Sequence, residues 1–437
     1  MRISANGRYL ETENNDPFFW LGDTGWLLFS KLDREEAEFY LDDRAGKGFN
    51  VIQVMLLHST DVTNAYGDSA LHCRNIGKPR CTAGNAPDDP EAYDYWDHVD
   101  FILDLAAERG IYLALVPVWG SEIRQGRANL EEAGAYALWL AERFGNRSNI
   151  IWLNGGDTRG DQNTEIWNLI GTQLHQKTGQ LISFHPFGRT CSSRWFHDKE
   201  WLDFNMCQSG HRRYDQDDSE TGYGEDNWRY IRDARALSPV KPVLDGEPSY
   251  ESIPQGLHDP NQPYWKAADV RRYAYWSVFS GGCGFTYGHN AVMQFHKPGD
   301  TDPAYGVREY WTDALNAEGA CQMQYLKALM NSEPYSSLYP DQSLLAGPPG
   351  EKYDYQPVIR GEDYAFVYSS NGREITLKMG KIKGSRITAT WFNPRNGEKG
   401  QPEVFKNCGT RTFNPPGEDG PGKDWVLILK STKQKER

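Results

Sequence analysis

Short, nearly unbroken apolar runs recur along the first three quarters of the chain: 18–22 (FFWLG), 49–57 (FNVIQVMLL), 111–119 (IYLALVPVW), 149–153 (NIIWL), 181–187 (LISFHPF), 203–208 (DFNMCQ), 241–245 (KPVLD) and 284–287 (GFTY). Runs without polar alternation are what strands buried on both faces of a parallel sheet show. Between them lie charged amphipathic stretches that predict helices over 33–47, 97–109, 130–144, 164–177, 226–237 and 267–279, with a closing helix over 312–330. Asp33 is placed to cap the first of these and Gly48 to stop it. Eight strands alternating with helices predict a closed (β/α)8 TIM barrel, and no G-x-G-x-x-G follows an early strand as an open dinucleotide-binding sheet would require.

The pattern changes near Glu333. Pro334, Pro340, Pro348 and Pro349 punctuate a linker-like segment, and then 358–359, 364–369, 375–379, 386–392 and 425–429 read as short alternating strands separated by Gly and Asn turns. The expected organisation is a catalytic barrel over residues 1–332 followed by a small antiparallel β-sandwich over 333–437.

Composition narrows the partners. A formal net charge of -13 weighs against nucleic acid and anionic membranes, both of which rely on clustered Lys and Arg. No apolar run is long enough to span a bilayer, and the opening MRISANGRYL lacks the apolar segment of a signal peptide, which leaves a cytosolic protein or one whose export signal was removed. Fifteen Trp and 24 Tyr exceed what a core needs, so some of these flat, amphipathic rings are expected in a binding cleft. Seven Cys show no C-x-x-C or zinc-ligand spacing; Cys73 and Cys81 flank one loop and are either a local disulfide or two free thiols.

The candidate chemistry lies at strand ends. IIWLNGGD closes on Asp157 and PVLDGE on Glu247, and in a barrel of parallel strands both carboxylates project from the C-terminal face. Glycoside hydrolysis requires such a pair, one acid to protonate the departing oxygen and one to attack or stabilise the anomeric carbon. Gly155 and Gly156 let the backbone approach a ligand beside Asp157, and Pro248 turns the chain directly after Glu247. The blander alternatives are a loop or helix cap for Asp157 and a structural salt bridge for Glu247. Asp23, His58, Trp119, Asn154, His185, Gln208, His211, Tyr287 and His289 stand at or just past the other strand ends and together describe a polar, aromatic-lined pocket for a hydroxyl-rich ligand. Arg124, Arg127, Arg159, Arg189, Arg194, Arg212 and Arg213 follow strands on the same face, either as solvated loop charge or as a grip on acidic sugars. Neither a metal nor another cofactor is expected: the histidines are scattered singly, and DTRGD lacks the periodicity of a calcium loop. No G-x-S-x-G or phosphate-loop motif occurs.

The order FFWLGDTGW, GFNVIQVML, IIWLNGGD and PVLDGEPSYE, closed by a small β domain, resembles glycoside hydrolase family 140, the apiosidase-like family, over nearly the whole chain. The resemblance implies a (β/α)8 barrel with a collagen-binding-type β domain, a label from which collagen binding does not follow. It further implies an enzyme that removes apiose from side chains of the pectic polysaccharide rhamnogalacturonan II, with Asp157 as acid/base and Glu247 as nucleophile; the expected action is exo, and the nucleophile-like position of Glu247 predicts retention of configuration. The partner is then a plant cell-wall pectic oligosaccharide or another glycoside, met by a monomer. Related barrel glycosidases place Asn-Glu at the end of strand four, where this chain has Asn154, Gly155, Gly156 and Asp157. Another furanosidase, such as an arabinofuranosidase, and a carbohydrate-binding barrel without catalysis are the alternatives.

Overall fold

The computed structural model describes residues 1–89 and 91–432, so the last five positions of the expected second domain, 433–437, lie outside the described residues. Eight parallel strands form the barrel: β1 (Trp20–Thr24), β2 (Val51–Met55), β3 (Tyr112–Val116), β4 (Ile150–Thr158), β5 (Ile182–Pro186), β6 (Asn205–Gln208), β7 (Val243–Asp245) and β8 (Gly284–Tyr287). They pair in the order β5-β4-β3-β2-β1-β8-β7-β6, with a two-residue strand, Thr190–Cys191, added antiparallel to β6. The seam between β5 and β6 is closed by Asp203 N–H donating to the Ile182 carbonyl at 2.9 Å and by the Ser183 hydroxyl donating to the Phe204 carbonyl at 2.6 Å.

The barrel helices are α1 (Arg34–Gly46), α2 (Tyr95–Glu108), α3 (Leu130–Phe144), α4 (Thr164–Thr178), α5 (Asn227–Arg235), α6 (Ala267–Phe279) and α7 (Glu318–Met330). Local chemistry fixes where several begin. Asp33 with Glu36, Asp94 with Asp97 and Asn129 with Glu132 form reciprocal capping boxes that satisfy the orphan amides of α1, α2 and α3. Alternate strand positions divide between two apolar cores. Ile52, Val54, Leu113, Leu115 and Trp152 pack with the helices, whereas Val51, Ala114, Val116, Ile151 and Leu153 join Trp20, Met206, Leu244 and Phe285 from the other strands.

Two elements of the barrel differ from the sequence pattern by more than a shift at their ends. Strand β4 does not stop at Leu153 but continues to Thr158, with a register shift between Gly155 and Thr158. The closing helix is broken into Trp311–Ala314 and α7, because the Glu251 carboxylate accepts the Gly319 amide at 3.0 Å and so anchors a new helix start.

The second domain is a six-stranded antiparallel sheet facing a two-stranded one, 375–378 with 410–413. Glu403–Lys406 and Thr410–Phe413 escape the sequence pattern because they are mostly exposed and carry no apolar alternation. The domain is fastened to the barrel by polar and aromatic contacts. Arg271 on α6 makes a two-point pair with Asp424 (3.0 and 2.8 Å), Trp228 stacks on Tyr355 with centroids 4.0 Å apart, and Tyr275 stacks on Tyr368 at 4.7 Å. All seven cysteines are free, so Cys73 and Cys81 are thiols. Among the described residues no helix is long and apolar enough to cross a membrane.

Candidate active site

A cavity of about 370 Å³ opens at the C-terminal face of the barrel, lined from around its mouth by Trp26 after β1, Met55 on β2, Trp119 after β3, Asp157 on β4, Phe187 and Arg189 after β5, Gln208 and His211 from β6, Glu247 and Tyr250 after β7, and Met293 and Gln294 after β8. Every barrel strand therefore contributes, which is the arrangement a barrel active site takes.

The end of β4 has an unusual course. Gly155 and Gly156 lie at φ +93° and +101°, a region open to glycine, and a Cβ there would stand 2.7 Å from the His185 carbonyl or 2.6 Å from the Trp119 ring. Asp157 follows at φ +46°, in the left-handed region that costs a residue with a side chain about 1 kcal/mol or more. The bulge turns its carboxyl into the cavity. Its amide donates to His185 Nδ1 at 3.1 Å, which helps hold the strained backbone in place.

Glu247 is almost fully buried, 7 % exposed, and its two oxygens face two imidazoles: Nε2 of His211 at 3.1 Å from Oε1 and Nε2 of His185 at 2.8 Å from Oε2. The His185 contact is short but poorly directed for a hydrogen bond. The Tyr250 hydroxyl also lies beside Glu247, and the Tyr250 ring meets His211 edge-on at 4.7 Å. Burial raises the Glu247 carboxyl, yet the two imidazole contacts outweigh it and bring the acid down to about 2. Asp157 goes the other way: burial and then the Glu247 charge lift it above the usual carboxylate range, with His185, Gln208 and His211 offsetting part of the rise. One acid is thus held ionised and its neighbour held toward the protonated form, the division of labour that acid-assisted glycoside cleavage uses.

Of the other residues singled out in the sequence, Trp119, Gln208 and His211 line the cavity, and His185 stands between Trp26 and Trp119 with centroid separations of 5.3 and 5.5 Å. The structure brings the remaining ones elsewhere. Asp23 is fully buried and accepts from Arg44 Nε at 2.6 Å and the Tyr40 hydroxyl at 2.7 Å. Asn154 spends its side chain on the Trp167 carbonyl and the Gly155 amide, and Tyr287 donates to Glu251 at 2.6 Å. His289 accepts the Ala291 amide and faces Glu309 at 3.2 Å, while half-buried His58 is not among the lining residues. A strand-end side chain reaches the cavity only when its position in the pleat and its partners allow it, and these five are held by other partners or lie outside the lining.

The arginines divide similarly. Arg189 and Arg212 reach the cavity edge, but Arg189 faces Asp217 at 3.3 Å and Arg212 pairs with Asp218. Arg159 and Arg194 border an adjoining groove, paired with Asp161 and Glu220. Arg213 is tied to Asp215, Gln255 and Gln262 and lies outside the cavity lining, as do Arg124 and Arg127. Sequence reasoning passed over Trp26 and Tyr250 although both lie inside the quoted GDTGW and DGEPSYE segments; Leu257, His258 and Tyr305 arrive from long loops that carry no periodic signal.

Comparison with known proteins agrees with this geometry. A family model described as "Apiosidase-like, catalytic domain" matches residues 4–337, and one described as "Putative collagen-binding domain of a collagenase" matches 339–430. A solved structure titled a glycoside hydrolase shares 44 % identity over 99 % of this chain and 97 % of its own, with a TM-score of 0.93. A second, titled a glycoside hydrolase family 5 protein from Bacteroides vulgatus ATCC 8482, shares 43 % identity over 99 % and 94 % at the same TM-score. The endo-1,4-beta-D-mannanase of Thermotoga petrophila RKU-1, 16 % identical over 71 % of this chain and all of its own with a TM-score of 0.51, shares the fold alone. A comparison with curated protein sequences returns no match. With a barrel whose eight strand ends meet at a paired-carboxylate cavity and a family match across that whole domain, this chain belongs to the apiosidase-like family of glycoside hydrolases.

Proposed function

We propose that the protein is an exo-acting apiosidase that releases terminal apiose from side chains of rhamnogalacturonan II, with Asp157 as acid/base, Glu247 as nucleophile and retention of configuration. The feature that supports this reading is a pair of carboxylates lining one cavity whose acidities are shifted in opposite directions, Glu247 down to about 2 and Asp157 upward. Protonated Asp157 gives its proton to the glycosidic oxygen as the bond to the anomeric carbon breaks. The Glu247 carboxylate attacks that carbon from the opposite side and becomes a glycosyl ester. Water, deprotonated by the Asp157 carboxylate left behind, then attacks the same carbon, frees Glu247 and restores the proton to Asp157. The contacts from His185 and His211 keep Glu247 ionised and aimed. A cavity of about 370 Å³, at the small end of ligand cavities, favours a terminal sugar over a stretch of polymer, and the aromatic residues Trp26, Trp119 and Tyr250 are part of its lining.

The deciding experiment incubates the protein with apiose-bearing pectin fragments and with a panel of aryl furanosides, identifies the sugar released, and reads its first-formed anomer by NMR. Apiose of retained configuration is the expected product. Arabinofuranose in its place would reassign the substrate, an inverted first product would remove the nucleophile role from Glu247, and binding without release would leave a carbohydrate-binding barrel.

A further inference from the structure

We infer that His185 is the positioning residue that holds both carboxylates of the site, through a fixed tautomer: bare Nδ1 for the backbone of Asp157, protonated Nε2 for the side chain of Glu247. The inference rests on the reading of Asp157 and Glu247 given above and extends it to a residue that touches neither the sugar nor the reacting bond.

The argument is one of proton counting. A neutral imidazole carries one N–H, and each ring nitrogen is either a donor or an acceptor. Nδ1 lies 3.1 Å from the Asp157 amide, which can only donate, so Nδ1 must be the acceptor. The proton is then on Nε2, which stands 2.8 Å from Glu247 Oε2, a close contact bent away from regular hydrogen-bond geometry; a carboxylate oxygen there can only accept. The ring has no freedom to choose otherwise, being fully buried at the end of β5 and held between Trp26 and Trp119. The titratable groups around it are Asp157 and Glu247, with His211 on the other oxygen of Glu247 and Tyr250 beyond.

Each half of the contact does a different task. The Nδ1 half steadies a backbone at φ +46°, directly after two glycines at positive φ, in the bulge of β4 where nothing in the regular ladder fixes the chain. The Nε2 half places a donor on Glu247 that favours its ionised form. One side chain on β5 therefore couples an acid delivered by β4 to an acid delivered by β7. His211 does not have this property, since its Nδ1 is buried without a partner and it serves Glu247 alone.

Two conservative substitutions separate the halves. The amide of Asn reaches where Nδ1 sits, and the amide of Gln where Nε2 sits. In His185→Asn a carbonyl still accepts from Asp157, but Glu247 loses its donor. The acid limb of kcat/KM should then move up by about one pH unit or more, with activated and unactivated aryl furanosides slowed alike. In His185→Gln the donor to Glu247 is kept and the Asp157 amide is released. The acid limb should stay in place, while the unactivated substrate loses about tenfold more rate than the nitrophenyl one, which needs little proton assistance. A side chain that only fills space would give two variants with the same profile and the same leaving-group dependence, and that result overturns the inference. ¹⁵N NMR of the histidine rings in the unmodified protein reads the tautomer without reference to activity: a proton on Nε2 and none on Nδ1 of His185 is expected, and the reverse overturns it. Asp157→Asn and Glu247→Gln assayed on the same substrates keep the two questions apart, because full turnover in either defeats the assignment of the acids whatever His185 does.

Discussion

The ends of β4 and β7 each deliver one carboxylate to the same cavity, and they do it by opposite means. At β4 the chain passes through a bulge of two positive-φ glycines and leaves Asp157 strained and facing a second negative charge. At β7 the strand stops at Asp245, and Glu247 two residues later is met by two imidazoles. The contrast extends down the β7 end itself. Asp245 is fully buried and accepts from Ser209, Asn227 and Ser277, yet burial outweighs those hydrogen bonds and raises it to about 6, whereas Glu247 falls to about 2. The hydroxyl and amide donors around Asp245 do not offset its burial, whereas the two imidazole contacts on Glu247 do.

The largest expected effect is from Glu247→Gln, which should remove more turnover than acid assistance alone provides, beyond about 10² to 10⁴-fold, while far-ultraviolet circular dichroism stays unchanged. Asp157→Asn should cost about 10² to 10⁴-fold on a poor leaving group and distinctly less on a nitrophenyl glycoside. A loss of less than about tenfold in either variant on the natural linkage would remove that residue from the catalytic pair. In the unmodified enzyme the basic limb of kcat/KM should lie above the ordinary carboxylate range, since activity then falls as Asp157 loses its proton.

The next effect is on stability. Glu247 has its acidity strengthened by folding, from 4.5 to about 2, so its contribution is complete above pH 4.5 and is lost as pH falls toward 2. Asp245 is shifted the other way, from 3.8 to about 6, so its contribution is complete below 3.8 and is lost as pH rises through 6. Each amounts to about 3 kcal/mol at most, and together they place a maximum near pH 4 in the part of the stability curve that this strand end controls. Urea denaturation across pH 2.5 to 7 should show, for Asp245→Asn, a flattened fall above about pH 4. An unchanged slope would mean that Asp245 does not titrate in this window.

The smallest effect is expected of the arginines. Arg212 borders the cavity but is already paired with Asp218, and such half-exposed pairs are worth about 0.2 to 1 kcal/mol. Arg212→Ala should therefore weaken the KM of an acidic pectic fragment only severalfold, less at high salt, and leave a neutral aryl glycoside unaffected. Equal effects on both substrates would remove Arg212 from any role in reading charge. Arg213 is expected to change neither, because Asp215, Gln255 and Gln262 occupy it outside the cavity.

The barrel, the β domain after it and the strands on which the two acids ride can all be read along the chain. Unbroken apolar runs and capped amphipathic stretches report burial and helix ends locally, and helices 130–144 and 267–279 and strands 284–287, 364–369 and 386–392 match the pattern residue for residue. Tertiary structure decided which strand-end residues share the cavity. Asp23 looks like Asp157 in sequence, a carboxylate closing an apolar run, but Arg44 and Tyr40 come from α1 to enclose it, and nothing near Asp23 in the chain announces them. Tyr287 and His289 are drawn to Glu251 and Glu309 in the same way. His185 could be placed at a strand end but not given its task, because that task depends on two acids 28 residues before it and 62 after it, brought within 3.1 Å only by closing the barrel. Side-chain period and caps are properties of neighbours in the chain; protonation and occupancy of a site are properties of neighbours in space.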